Sequence, residues 1–240
     1  MNKLKSAILY DCSTTFRAIG MFYIIQYAIV SFITLIIGIS LGTFDNVGTN
    51  GLEINSLIFV GIVGVLGFKE DFKMLIQNGF TRKYIFITMI SLFVFMASAM
   101  AFIDTAVGQF LHRLTNDYQS LFGSIYGYEN VFANWIWLAL LYMVILNLFY
   151  FGILVINKVG KNTSIYLGVI LGGCILFVIA LFRYVFSAEV VKNIIDFFMK
   201  ALGFMTNGTI NYIFPALTFV LIICALAGGA YTVIRHTELK

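Results

Sequence analysis

Six segments of this chain contain no Lys, Arg or Glu, and no Asp except at the last position of one of them. They are Ile19–Ser40, Ile54–Phe68, Tyr84–Asp104, Phe132–Ile156, Thr163–Phe182 and Tyr212–Ile234. A hydrocarbon layer is about 30 Å thick and takes about 20 apolar helical residues to cross. Within it each backbone amide must find its partner inside its own segment, which leaves the helix as the economical solution. Composition agrees, since 61% of residues are hydrophobic and only 11% charged, whereas a soluble domain carries about a quarter charged residues. The expected fold class is therefore all-α: one polytopic membrane domain over residues 1–240 with six transmembrane helices. Ile54–Phe68 is short for a full crossing and is expected to begin in the preceding loop or to run on past its end.

Orientation follows from Lys and Arg, which concentrate on the cytoplasmic side of membrane proteins. One set of segment ends carries eleven of them: Lys3, Lys5, Arg17, Lys69, Lys73, Arg82, Lys83, Lys158, Lys161, Arg235 and Lys240. The other carries four: Arg113, Arg183, Lys192 and Lys200. Both termini are thus expected in the cytoplasm of a cell whose plasma membrane holds the protein. The net charge of +4 comes from residues that border the spans instead of forming one patch, so nucleic acid is not an expected partner. Residues 1–17 have Leu4, Ile8, Leu9, Cys12 and Phe16 at roughly helical spacing. They read as an amphipathic interfacial helix before the first span, or as an ordinary charged tail, and not as a cleavable signal. Trp135 and Trp137 open the fourth span as an aromatic belt would place them.

The most highly charged run is Gly67–Tyr84, GFKEDFKMLIQNGFTRKY. A short helix fits Glu70–Asn78. Glu70 and Asp71 suit the positive end of its dipole, Gly79 supplies a left-handed cap, and Thr81 caps the helix that follows. Phe72, Leu75 and Ile76 share one face. An apolar stripe on a water-facing helix marks a docking surface; the competing reading is that the stripe rests on the bundle's own ends or on the membrane interface. A second amphipathic segment lies between the last two spans. Val190, Val191, Ile194, Ile195, Phe198 and Leu202 take one face, and Glu189, Lys192, Asn193, Asp196 and Lys200 the other. It is expected on the outer side within residues 184–211, with Ile194, Ile195 and Phe198 as an outer gate or as a membrane anchor.

Several chemistries lack their residues. The run from Gly160 to Thr163 lacks the upstream glycine of a phosphate-binding loop, and no HExxH, GxSxG or paired intramembrane carboxylates appear. Cys12, Cys174 and Cys224 form no CxxC, and His112 and His236 lie far from them in sequence, so neither a metal site nor a thiol site is expected. The polar residues within spans are Gln26, Asn147 and, near an outer end, Asp104. All three either line a substrate path or have a plainer role: interhelical hydrogen bonds for Gln26 and Asn147, and simple exposure to interfacial water for Asp104. With no evident buried ionisable relay, the energy for any transport is expected from elsewhere. Gly168 and Gly172, and Gly38 and Gly42, form GxxxG pairs that permit close helix approach.

This arrangement resembles the ABC-2 type permease subunit of bacterial ABC exporters over nearly its full length. The resemblance rests on the N-terminal helix, six spans, the charged helix between spans two and three, and the outer helix between spans five and six. The stretch Gln77-Asn78-Gly79-Phe80-Thr81-Arg82-Lys83 is similar to one in small Gram-positive exporters of antimicrobial or toxin peptides. The resemblance implies that a separate cytoplasmic ABC ATPase binds at residues 69–83, through Glu70, Phe72, Lys73, Leu75, Ile76 and Asn78. It also implies that ATP and Mg sit on that partner and not on this chain, which would itself not be an enzyme, and that a second permease copy lines the substrate path. The other reading is a non-transport immunity or sensor-partner protein that binds a peptide at the membrane.

Overall fold

The computed structural model describes residues 3–42, 50–67, 73–114 and 118–235, with Lys73 and Lys161 described through their backbone alone. Among the described residues the chain is all-helical: α1 (Lys3–Leu41), α2 (Glu53–Gly67), α3 (Lys73–Gln77), α4 (Arg82–Leu114), α5 (Leu121–Tyr126), α6 (Val131–Val159), α7 (Lys161–Tyr184), α8 (Ala188–Ala201) and α9 (Ile213–Arg235). Five of them, α1, α4, α6, α7 and α9, are long and apolar enough to cross a membrane. At 1.5 Å per residue the 15-residue α2 reaches only about 22 Å, so the expected second span falls short of a crossing within the described residues. Two compact units divide the chain, Met1–Phe149 and Tyr150–Lys240.

In the first unit α4 is the central element. Its buried residues run in two adjacent rows: Ile85, Met89, Phe93, Ala97, Ala101 and Thr105 in one, and Thr88, Leu92, Met96, Met100, Asp104 and Gly108 in the other. A step of four residues keeps side chains on one helix face. The apolar rows therefore carry Asp104 and Thr105 inward with them. α2 meets its neighbours along a glycine edge. A Cβ on Gly64 would stand 2.9 Å from the Leu146 carbonyl oxygen of α6, and one on Gly67 would stand 2.6 Å from the Met89 methyl of α4. Without side chains at these positions the α2 backbone lies directly against both helices.

Three expectations are corrected in this unit. Residues 3–17 run without a break into the first span as one 39-residue helix, not as a separate interfacial helix. The third span, expected to end at Asp104, continues as helix to Leu114, because the buried face of α4 continues to Gly108. Trp137 is buried rather than belted at the membrane surface: Phe122 and Tyr126 of α5 meet it edge-on at centroid distances of 5.8 and 5.9 Å. Trp135 donates its indole N–H to the Ser98 carbonyl.

In the second unit α7 has no buried residue in its most apolar window, and no atom lies within 4 Å of where a Cβ on Gly168 or Gly172 would stand. The α8 helix starts at an N-cap, where the Ser187 hydroxyl accepts from the Val190 N–H, and its C-terminal end is tied to α9 by the Thr218 hydroxyl donating to the Ala201 carbonyl at 3.1 Å. Gly203, at φ +91, makes the turn between them; a Cβ there would lie 2.4 Å from the Asn211 carbonyl oxygen.

Candidate functional site

The apolar interior of the first unit contains a polar island. Asp104 is 4% exposed, and the Tyr142 hydroxyl of α6 donates to its Oδ2 at 2.5 Å. Asp104 lies ten residues before the end of α4 and Tyr142 eleven residues after the start of α6. Both therefore sit about 15 Å along their helices from the same end of the bundle, too far in for a carboxyl that merely meets interfacial water. The expectation for Asp104 is corrected accordingly. Burying a polar group is costly unless it finds a partner, and here the partner comes from the next helix.

Three further groups close around Asp104. Tyr23 of α1 is buried, donates its hydroxyl to the Met100 carbonyl at 3.2 Å, and lies beside the carboxyl together with the buried Ser56 hydroxyl of α2. Glu53, the first residue of α2, is 1% exposed. Its Oε1 is 3.5 Å from the position of a Cβ on Gly108, one helical turn beyond Asp104 on the same row of α4. Its Oε2 is buried and accepts no hydrogen bond. Burial, and then the neighbouring Asp104 charge, push the Glu53 carboxyl up to about 7, while the backbone N–H groups of Glu53 itself and of Leu121 pull the other way. Two carboxyls thus share one interior site, although the sequence displays them as a loop residue and a span terminus.

A folded connection borders the site on its loop side. The Gly51 N–H donates to the Gln119 carbonyl at 2.9 Å, and the Asn50 side chain accepts from the Gln119 N–H. The Tyr128 hydroxyl accepts from the Ser120 N–H and donates to the Tyr118 carbonyl, while its ring stacks on His112 at 3.6 Å. Gly123 is required beneath that ring, since a Cβ there would stand 2.2 Å from it.

Of the residues expected to line a path, Gln26 belongs to this island. Its amide donates to the Leu52 carbonyl at 3.3 Å, leaving Oε1 buried without a donor. It also borders an open cavity of about 320 Å³ with Phe22, Ile25, Ile29, Val30 and Asn55. Asn147 is fully buried but donates to the Met143 carbonyl of its own helix, so it does not join Gln26.

The charged turn is described from Lys73. Glu70 and Phe72 lie outside the described residues, and so does the Lys73 side chain. Gly79 adopts φ +73. Its N–H donates to Ile76 and that of Phe80 to Leu75, closing α3 as expected. Thr81 accepts from the Tyr84 N–H at the start of α4. Leu75, however, is 2% exposed and Ile76 half-buried, so the stripe at these two positions is turned into the protein and not presented to water. Asn78 is exposed, with its amide on the Met74 carbonyl. On α8, Ile194 is half-buried while Ile195 and Phe198 are exposed; none of the described residues covers those two gate positions.

The carboxyl pair escaped the sequence reading, yet one signal was present: Asp104 falls on the four-residue rows of α4. No protein-family profile, curated protein or solved structure matches the chain.

Proposed function

We propose that this protein is the membrane-spanning permease subunit of an ATP-driven exporter of the ABC-2 kind, moving amphipathic peptides out of a bacterial cell. A single observation carries the reading: α4 links the charged turn to the polar island. α3, with its buried Leu75, packs against this helix, and the same 33-residue helix carries Asp104. A partner that moved the turn would move the polar interior with it. The partner is a cytoplasmic ABC ATPase, which brings the ATP and Mg that this chain has no motif to bind. A second permease copy completes the path, and lipid surrounds the exposed apolar faces. The termini and the charged turn are cytoplasmic in this reading.

The burial of Leu75 reassigns the roles within the turn. Leu75 and Ile76 anchor it, and Phe72 with Glu70 and Lys73 is left to meet the ATPase. Phe72→Ala should weaken ATPase binding by about 2 kcal/mol or more, as truncation of an interface anchor does, with the melting temperature of the permease alone unchanged. Leu75→Ala should lower that melting temperature, through a loss of about 2–5 kcal/mol. Co-purification with a co-expressed ATPase and thermal melts of the isolated permease check both. If Phe72→Ala keeps its partner and its coupled ATPase activity, the exporter reading fails and a peptide-binding membrane protein takes its place.

A further inference from the structure

We infer that Glu53 and Asp104 form one proton-binding site whose occupancy holds α2 against α4. Two carboxyls occupy neighbouring turns of one interface, both almost wholly buried, and among the described residues no cation is paired with either. The surrounding groups come from every packed element: Tyr23 and Tyr27 from α1, Ser56 from α2, Tyr142 from α6, and Tyr118 from the connection before α5. All are neutral hydroxyls. Tyr142 already fixes one carboxyl by donating to Asp104. Glu53 Oε2 is buried and lacks a hydrogen-bond partner. A proton on the Glu53 carboxyl removes that unmet charge and the repulsion from Asp104 one turn away on α4.

The ligand is a proton rather than a larger cation. The described cavity beside Gln26 is bordered by neither carboxyl, and among the described residues no three of His, Cys, Asp and Glu gather as a metal would need. The balance is simple. One proton from water on the loop side joins the pair, and its charge goes from two negatives to one. On release, two negative charges face each other across the α2–α4 contact, which pushes the start of α2 away from α4. Glu53 is three residues from exposed Asn50, so the loop side is the short route. This site does not depend on an ATPase partner, and the exporter reading does not depend on it.

The test is an infrared titration of the purified chain alone in lipid nanodiscs, from about pH 5 to about pH 9, following the carbonyl stretch of protonated carboxylic acid. The expected wild-type result is one buried carboxylic acid at neutral pH that titrates in a single step. Asp104→Asn should lower that midpoint by about one pH unit or more, because the like charge beside Glu53 is gone. Glu53→Gln should remove the step, because the group that takes the proton is gone. A wild-type protein with no protonated carboxyl across this range overturns the inference without any variant. An Asp104→Asn protein that keeps the wild-type midpoint overturns it too, since the two groups would then titrate independently.

Discussion

At the residue scale, Glu53 makes the clearest prediction. Its carboxyl holds a proton more tightly in the folded chain, near 7, than its ordinary value of 4.5. Between those two values the folded state binds more protons than the unfolded one, so stability falls as pH rises. It levels off on either side of that window. Thermal melts of the protein in detergent should therefore show a midpoint that declines from about pH 5 to about pH 7, and Glu53→Gln should flatten the decline. A wild-type midpoint that rises through this range would contradict the burial of Glu53. Leu75 shows that hydrophobicity alone does not say what a residue faces. The sequence spacing groups it with Phe72 and Ile76 on one apolar stripe, yet it is buried, and the Gly79 and Phe80 N–H bonds close the helix that carries it.

At the element scale, the two amphipathic segments have different fates. α3 is five residues long and folds back onto its own chain. α8 has 14 residues and no buried one, with Ile195 and Phe198 open. Only three residues separate α7 from α8, so α8 stays at the membrane surface where α7 ends, and lipid is the natural cover for its apolar face. Ile195→Asp should then release α8 from the membrane, read as a large rise in accessibility of a nearby cysteine label to water-soluble reagent. Asn193→Asp, on the polar face, should leave accessibility unchanged. Equal effects from the two variants would mean that α8 is not anchored by that face.

At the scale of the whole molecule, the proposed orientation rests on eleven Lys and Arg against four. A membrane-impermeant thiol reagent applied to intact cells, in a background with the native cysteines replaced, should label Lys192→Cys and spare Lys83→Cys. The reverse pattern would invert the protein and remove the turn from an ATPase's reach. The amino-acid sequence by itself determined the helical class, the places of the long apolar helices apart from the extensions of α1 back to Lys3 and of α4 on to Leu114, the Gly79 and Thr81 caps, and the amphipathic α8. Each depends on near neighbours in the chain: the hydropathy of a run, the periodicity of a face, or a glycine at positive φ. Only the tertiary structure decided that Glu53 and Asp104 meet, that Gln26 joins them while Asn147 does not, and that Leu75 is core. Those outcomes depend on which helix faces touch. The touching faces are set by distant pairs, the bare backbone of Gly64 against Leu146 and the Tyr142 hydroxyl on Asp104, which no local run of residues encodes.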